Sequence, residues 1–88
     1  MKVENMTSTK GNKIANQFKI FTNEGVYFQS YSTVIAFRPL FGKIQLDENA
    51  WDYSRTTAKY RNIFLRETKA ETLRKIKSGE YLLVDLNK

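Results

Sequence analysis

The chemistry available to this chain starts with cations. Arg55, Lys59, Asn62 and Arg66 recur at i, i+4, i+7 and i+11, the spacing of one helix face. Such a stripe, about four turns tall, is what a helix lying along phosphates would present. It would equally suit an acidic protein surface. Asn and Arg are also the side chains shaped for bidentate contact with adenine and guanine edges. Together with Arg61 from the same run, the expected binding residues are Arg55, Lys59, Arg61, Asn62 and Arg66.

The surrounding segment, Arg55 to Lys77, holds eight Lys or Arg and two Glu, and so carries the whole net charge of +6. Elsewhere cations and acids cancel. A charged outer face is ordinary for an amphipathic helix. Its sign is less ordinary: the stripe holds no acid, where a merely solvated face mixes both. A pI near 9.7 points to nucleic acid, an acidic protein or an anionic small molecule as partner.

Catalysis has little to work with. There is no His and no Cys, so the commonest general acid–base, the commonest metal ligand and thiolate zinc sites are all missing. Asp47, Glu48 and Asp52 are the one acid cluster. Paired carboxylates can bind Mg²⁺ or exchange protons, but acids ahead of a helix more often complement its dipole. No Gly-rich phosphate loop, nucleophile elbow or metal motif occurs. The expectation is no enzyme, no cofactor and no metal. The enzymatic alternative is a nuclease without His, using Lys, Arg and Tyr to stabilise phosphate charge.

The elements that must position these residues read as α+β. At 88 residues one domain is expected, with 1–12 a flexible N-terminal arm and 13–88 the folded part. Ala15 to Phe21, Val26 to Tyr31, Thr33 to Arg38 and Lys43 to Leu46 read as a four-stranded antiparallel meander. Thr22 to Gly25 and Pro39 to Gly42 supply the turns. Two helices follow. Ser54 is the expected N-cap of the first, over Arg55 to Arg66. Its core stripe is Tyr53, Thr57, Tyr60 and Phe64, with Ile63 beside it. Thr68 and Glu71 match a capping box for the second, with Gly79 as its stop and Ala70, Leu73 and Ile76 facing inward. Glu80 to Leu86 reads as a short closing strand. A second candidate surface is the sheet, where Lys19, Phe21, Tyr27, Tyr31 and Arg38 could share a face and stack on single-stranded bases. Aromatic pairs also stabilise hairpins without any ligand.

Within Phe28 to Ala36 and Leu46 to Leu65 run the patterns F-x-S-Y-x-x-x-I-A and L-D-x-x-x-W-D-Y-S-x-T-T-x-K-Y-R-N-x-F-L. These, with the D-L-N of Asp85, Leu86 and Asn87, resemble a family of small proteins of bacteriophages and prophages. The resemblance covers roughly Gly25 to the C-terminus and brings no functional residues with it. It implies a phage or mobile-element protein in the cytoplasm of a bacterial host. Small proteins of that kind often bind and inhibit host machinery, defence nucleases included.

The first functional expectation is therefore a non-enzymatic accessory protein that binds and modulates an acidic host protein through the basic helical face. The alternative is a nucleic-acid-binding domain that contacts phosphates through the same face. No apolar run is long enough to cross a bilayer, and Met1 to Lys13 lacks the apolar core of a signal peptide. No membrane partner is expected. The oligomeric state is left open.

Overall fold

A computed structural model describes all 88 residues. The order of elements is β1 (Lys2–Thr7), β2 (Lys13–Thr22), β3 (Gly25–Ser30), β4 (Thr33–Pro39), β5 (Gln45–Asp47), α1 (Arg55–Leu65), α2 (Lys69–Ser78) and β6 (Leu82–Val84). The strands form one six-stranded sheet in sequence order. β1 to β5 pair antiparallel, and β6 joins β5 in parallel. A parallel neighbour cannot be reached by a hairpin; α1 and α2 make that crossover. The class is α+β, with a larger sheet than the sequence suggested.

The additional strand comes from the segment read as a loose arm. Lys2–Thr7 lies along β2, with Val3 opposite Ile20 and Asn5 opposite Phe18. Its composition hides it, because backbone hydrogen bonds and one deeply buried side chain, Met6, tie it down. At the other end the tail is held by side chains. Asn87 accepts from the Val34 N–H at 2.7 Å and donates to the Val34 carbonyl at 2.8 Å. Its amide thus stands in for a neighbouring strand beyond the reach of short β5. Asp47 accepts from the Leu86 N–H at 2.9 Å and from the Asn49 and Ala50 N–H groups.

Cross-strand register divides the sheet into two faces. Val26 is opposite Arg38, Phe28 opposite Ala36 and Ser30 opposite Thr33; this side faces the helices. Phe28 stacks on Phe64 with centroids 5.7 Å apart, and Ser30 shares a 3.1 Å hydrogen bond with Thr57. The register slips by one residue at Ile35. That bulge lets Ile35 and Ala36, consecutive in the strand, both be fully buried. The opposite side carries Tyr27 stacked on Phe37 at 4.2 Å, with no helix over it. Lys19, Phe21 and Arg38 therefore share a face, whereas Tyr27 lies on the other and Tyr31 in the β3–β4 turn. The single stacking face drawn from these residues does not form.

Helix boundaries fall where capping chemistry puts them. Ser54 accepts from the Thr57 N–H at 3.1 Å. Thr68 and Glu71 make the reciprocal capping box, and Gly79 ends α2 at φ 84°. Each satisfies backbone groups that a helix end leaves free.

Gly25 is the one turn position where a side chain is excluded. Its φ is 149°, and a Cβ there would press on the Arg38 carbonyl oxygen and stand 2.7 Å from the Pro39 Cα. Gly25→Ala is expected to cost about 1–3 kcal/mol as overpacking against rigid backbone, lowering Tm by roughly 5–15 °C. A thermal melt followed by circular dichroism measures it.

Candidate functional site

The five residues singled out on the helix part company in three dimensions. Arg55 and Lys59 are exposed on α1. Arg66 is exposed too, but it is the left-handed C-cap at φ 59°, beyond the last helical residue. Asn62 is half-buried, and its carbonyl oxygen accepts from Arg61 Nη2 at 2.8 Å. Arg61 is completely buried. The continuous outward stripe is thus broken, and Arg61 and Asn62 leave the set of free binding groups.

Arg61 is a structural residue. Its Nη1 donates to the Trp51 carbonyl at 2.7 Å and to Asp52 Oδ1 at 3.1 Å. Its guanidinium carbon stands 5.1 Å from the centre of the Trp51 ring. The buried face of α1 keeps the expected Thr57, Tyr60 and Phe64 and widens to Arg61 and Leu65. Tyr53 precedes the helix and is 51% exposed, while Ile63 is 49% exposed. Thr57, Arg61 and Phe64 at i, i+4, i+7 share a helix face as faithfully as Thr57, Tyr60 and Phe64 at i, i+3, i+7 do. The usual exposure of arginine outweighed that signal, yet the acid it would need, Asp52, was in plain sight.

Asp52 serves two cations. Besides Arg61 it accepts from Lys69 Nζ at 2.7 Å, tying the start of α2 to the link before α1. Burial pushes the Asp52 carboxyl up, but hydrogen bonds from Lys69 and Arg61 outweigh it and hold it below the usual range. Glu67 is the counterpart between the helices. It accepts from Lys75 at 2.8 Å, Tyr81 at 2.7 Å and Thr72 at 2.5 Å. Burial alone would raise it; those three donors depress it instead. Burial and the facing Glu67 carboxylate push the Tyr81 hydroxyl up to about 12. Asp47 is lowered as well: burial opposes ionisation, and the N–H groups of Leu86, Asn49 and Ala50 help overcome it. These carboxylates are spent on holding loops and helix ends. No group of three or more potential ligands converges as a metal site would require.

Of the eight cations in Arg55 to Lys77, Arg61, Lys69 and Lys75 are in ion pairs. Arg55, Lys59, Arg66, Arg74 and Lys77 are not, and all of them are exposed. Apolar side chains stand among them, a feature the sequence reading missed. Ile63 on α1 is one; Leu73 on α2, expected inward, is 37% exposed and is the other. Leu73 lines a shallow hollow of about 340 Å³ with Ala70, Arg74 and Lys77. In α2 only Thr72 is fully buried. Ile76 packs against the core from a half-buried position, as expected, while Ala70 and Leu73 are exposed, so the helix rests on Ile76 and the Glu67 network rather than on a full apolar stripe. That is why its hydrophobic periodicity misled.

A family model matches residues 1–80, from β1 to just past the end of α2. The chain belongs to that family, DUF8033, a family of unknown function. No curated protein and no solved structure matches it. No helix is long and apolar enough to cross a membrane.

Two outcomes follow from the buried charges. Arg61→Ala leaves Asp52 with Lys69 alone, removes the donor to the Trp51 carbonyl and opens a cavity, so it should cost about 2–5 kcal/mol. Arg55→Ala should change stability by less than about 0.5 kcal/mol; urea denaturation compares them. Asp47, Asp52 and Glu67 have folded values below their unfolded ones, so their stabilisation is present above the unfolded value and lost as pH falls through the folded one. Tm should therefore hold from about pH 8 to about pH 5 and drop below about pH 4. A Tm that rises on acidification would contradict this.

Proposed function

We propose that this chain is a non-enzymatic binding module that docks on an acidic protein surface through the outward side of its helical layer. Arg55, Lys59, Arg66, Arg74 and Lys77 supply the charge, and Ile63 and Leu73 the apolar contacts. The observation that carries this reading is the exposure of Ile63 beside Lys59 and of Leu73 beside Arg74 and Lys77, cations that are in no ion pair. Phosphate backbones are held by charge and hydrogen bonds, and exposed aliphatic groups contribute nothing to that. Protein interfaces combine a desolvated apolar centre with a polar rim in which Arg is favoured. The commitment of Asn62 to Arg61 also weighs against reading base edges.

Modulation rather than catalysis is supported by the chain's composition, which has no His or Cys. The structural use of Asp47, Asp52 and Glu67 supports it further. The resemblance to small phage and prophage proteins favours a bacterial host protein as the partner, with defence and nucleic-acid-processing factors within that class, and the host cytoplasm as the place of action.

Affinity capture from bacterial lysate, with and without nuclease, tests this. A specific protein partner should survive nuclease treatment. Capture should fall at least about tenfold, the equivalent of about 1.4 kcal/mol, in Arg55→Glu/Lys59→Glu and in Ile63→Asp. Material lost on nuclease treatment, with Ile63→Asp without effect, would favour the nucleic-acid alternative and end this reading.

A further inference from the structure

The side of the sheet that carries no helix is apolar and uncharged. Phe18, Ile20, Tyr27, Val34, Phe37 and Leu82 lie on it by register. Its remaining paired positions include Asn5, Gln29 and Gln45, which are polar but neutral. Leu82 is 41% exposed, and Leu40 and Phe41 at its edge are 66% and 92% exposed. Leu40 and Phe41, with Phe37, Pro39 and Gln45 and with Asn23 and Glu24 at the rim, line an open hollow of about 440 Å³. Charges appear only at the margins. Glu24 sits in the β2–β3 turn, Lys13 lies beyond the β1–β2 irregularity, and Asp47 at the end of β5 is buried and bonded.

We propose that two copies of this chain pack through this face, sheet against sheet. Charge selects the occupant. A chain of net charge +6 that met its twin through the helical side would bring like charges together. Here it brings none. A C2 interface must be self-complementary, and a neutral apolar surface is so by its chemistry. A charged partner would find nothing on it to pair with.

The size is adequate for a modest dimer. Six strands spaced about 4.8 Å apart, of three to ten residues and averaging about 20 Å, give roughly 500 Å² before surface relief is counted. Leu40 and Phe41 add to it, towards the roughly 800 Å² per partner of a standard interface. Packing in this way leaves both helical layers facing outward, so the surface described under the proposed function stays free in the assembly. The two readings stand independently.

Sedimentation equilibrium of the full chain, from about 5 to about 500 µM in about 0.5 M NaCl to screen charge, tests the pairing. The mass should climb towards twice the 10.3 kDa of one chain. Leu82→Lys should raise the dissociation constant at least about tenfold, Ile20→Lys should hold the chain monomeric, and Arg74→Glu should change nothing. If Ile20→Lys loses its native circular dichroism, Leu82→Lys at the sheet edge carries the test. A single-chain mass at every concentration, or a dimer that Leu82→Lys leaves intact, overturns the proposal.

Discussion

A guanidinium with no contact to water organises the helical half of this molecule. Arg61 leans on the Trp51 ring, donates to the Trp51 carbonyl and meets Asp52. One charge thereby fixes the rotation of α1, the path of the link before it and, through Lys69, the start of α2. Removing a charge from water costs several kcal/mol, recovered only where geometry is good and the remaining donors are satisfied. Two of its three nitrogens are. The Nε proton is not, and neither is either polar atom of the Gln17 side chain, which is buried on β2 opposite Ser30. The pairing thus fixes a particular arrangement more plainly than it adds stability.

The same logic recurs wherever an element would otherwise be loose. A two-layer domain of this length has a small apolar core; here it centres on Phe28, Ile35, Ala36, Leu46, Tyr60 and Phe64. Around it, polar side chains with multiple partners do the fastening. Glu67 gathers Thr72, Lys75 and Tyr81 under α2. Asp47 clamps the following turn to the tail, and Asn87 occupies the strand-like position beside Val34. Carboxylates that a sequence reader weighs for catalysis are thereby consumed by architecture. What remains on the helical exterior is uncompensated positive charge around aliphatic side chains.

Local chemistry was legible in advance, and long-range chemistry was not. Ser54, Thr68, Glu71 and Gly79 act within a turn of their own positions, so capping rules located both helices. The strands around Phe28, Ala36 and Leu46 carried enough β-branched and aromatic residues to be read. β1 did not, because its pairing rests on backbone groups and on Met6 alone. The depth of Arg61 was hidden for a related reason. A buried cation is intelligible only through Asp52 and Trp51, and composition does not say that they converge. Leu73 failed in the opposite direction: its helical spacing was right, but α2 is anchored by Ile76 and by hydrogen bonds to Glu67, which leaves Ala70 and Leu73 to solvent.

The division of the cations into buried fasteners and free surface groups is the point on which the reading of the helical layer depends. Nitrogen-15 NMR of the arginine side chains addresses it directly, because guanidinium protons exchange with water at rates set by burial and hydrogen bonding. Arg61 should give resolved, slowly exchanging Nη signals at neutral pH, while those of Arg55, Arg66 and Arg74 are averaged away by fast exchange. Arg61 protons exchanging as fast as those of Arg55 would contradict the account, and would return Arg61 to the outer surface of the helix.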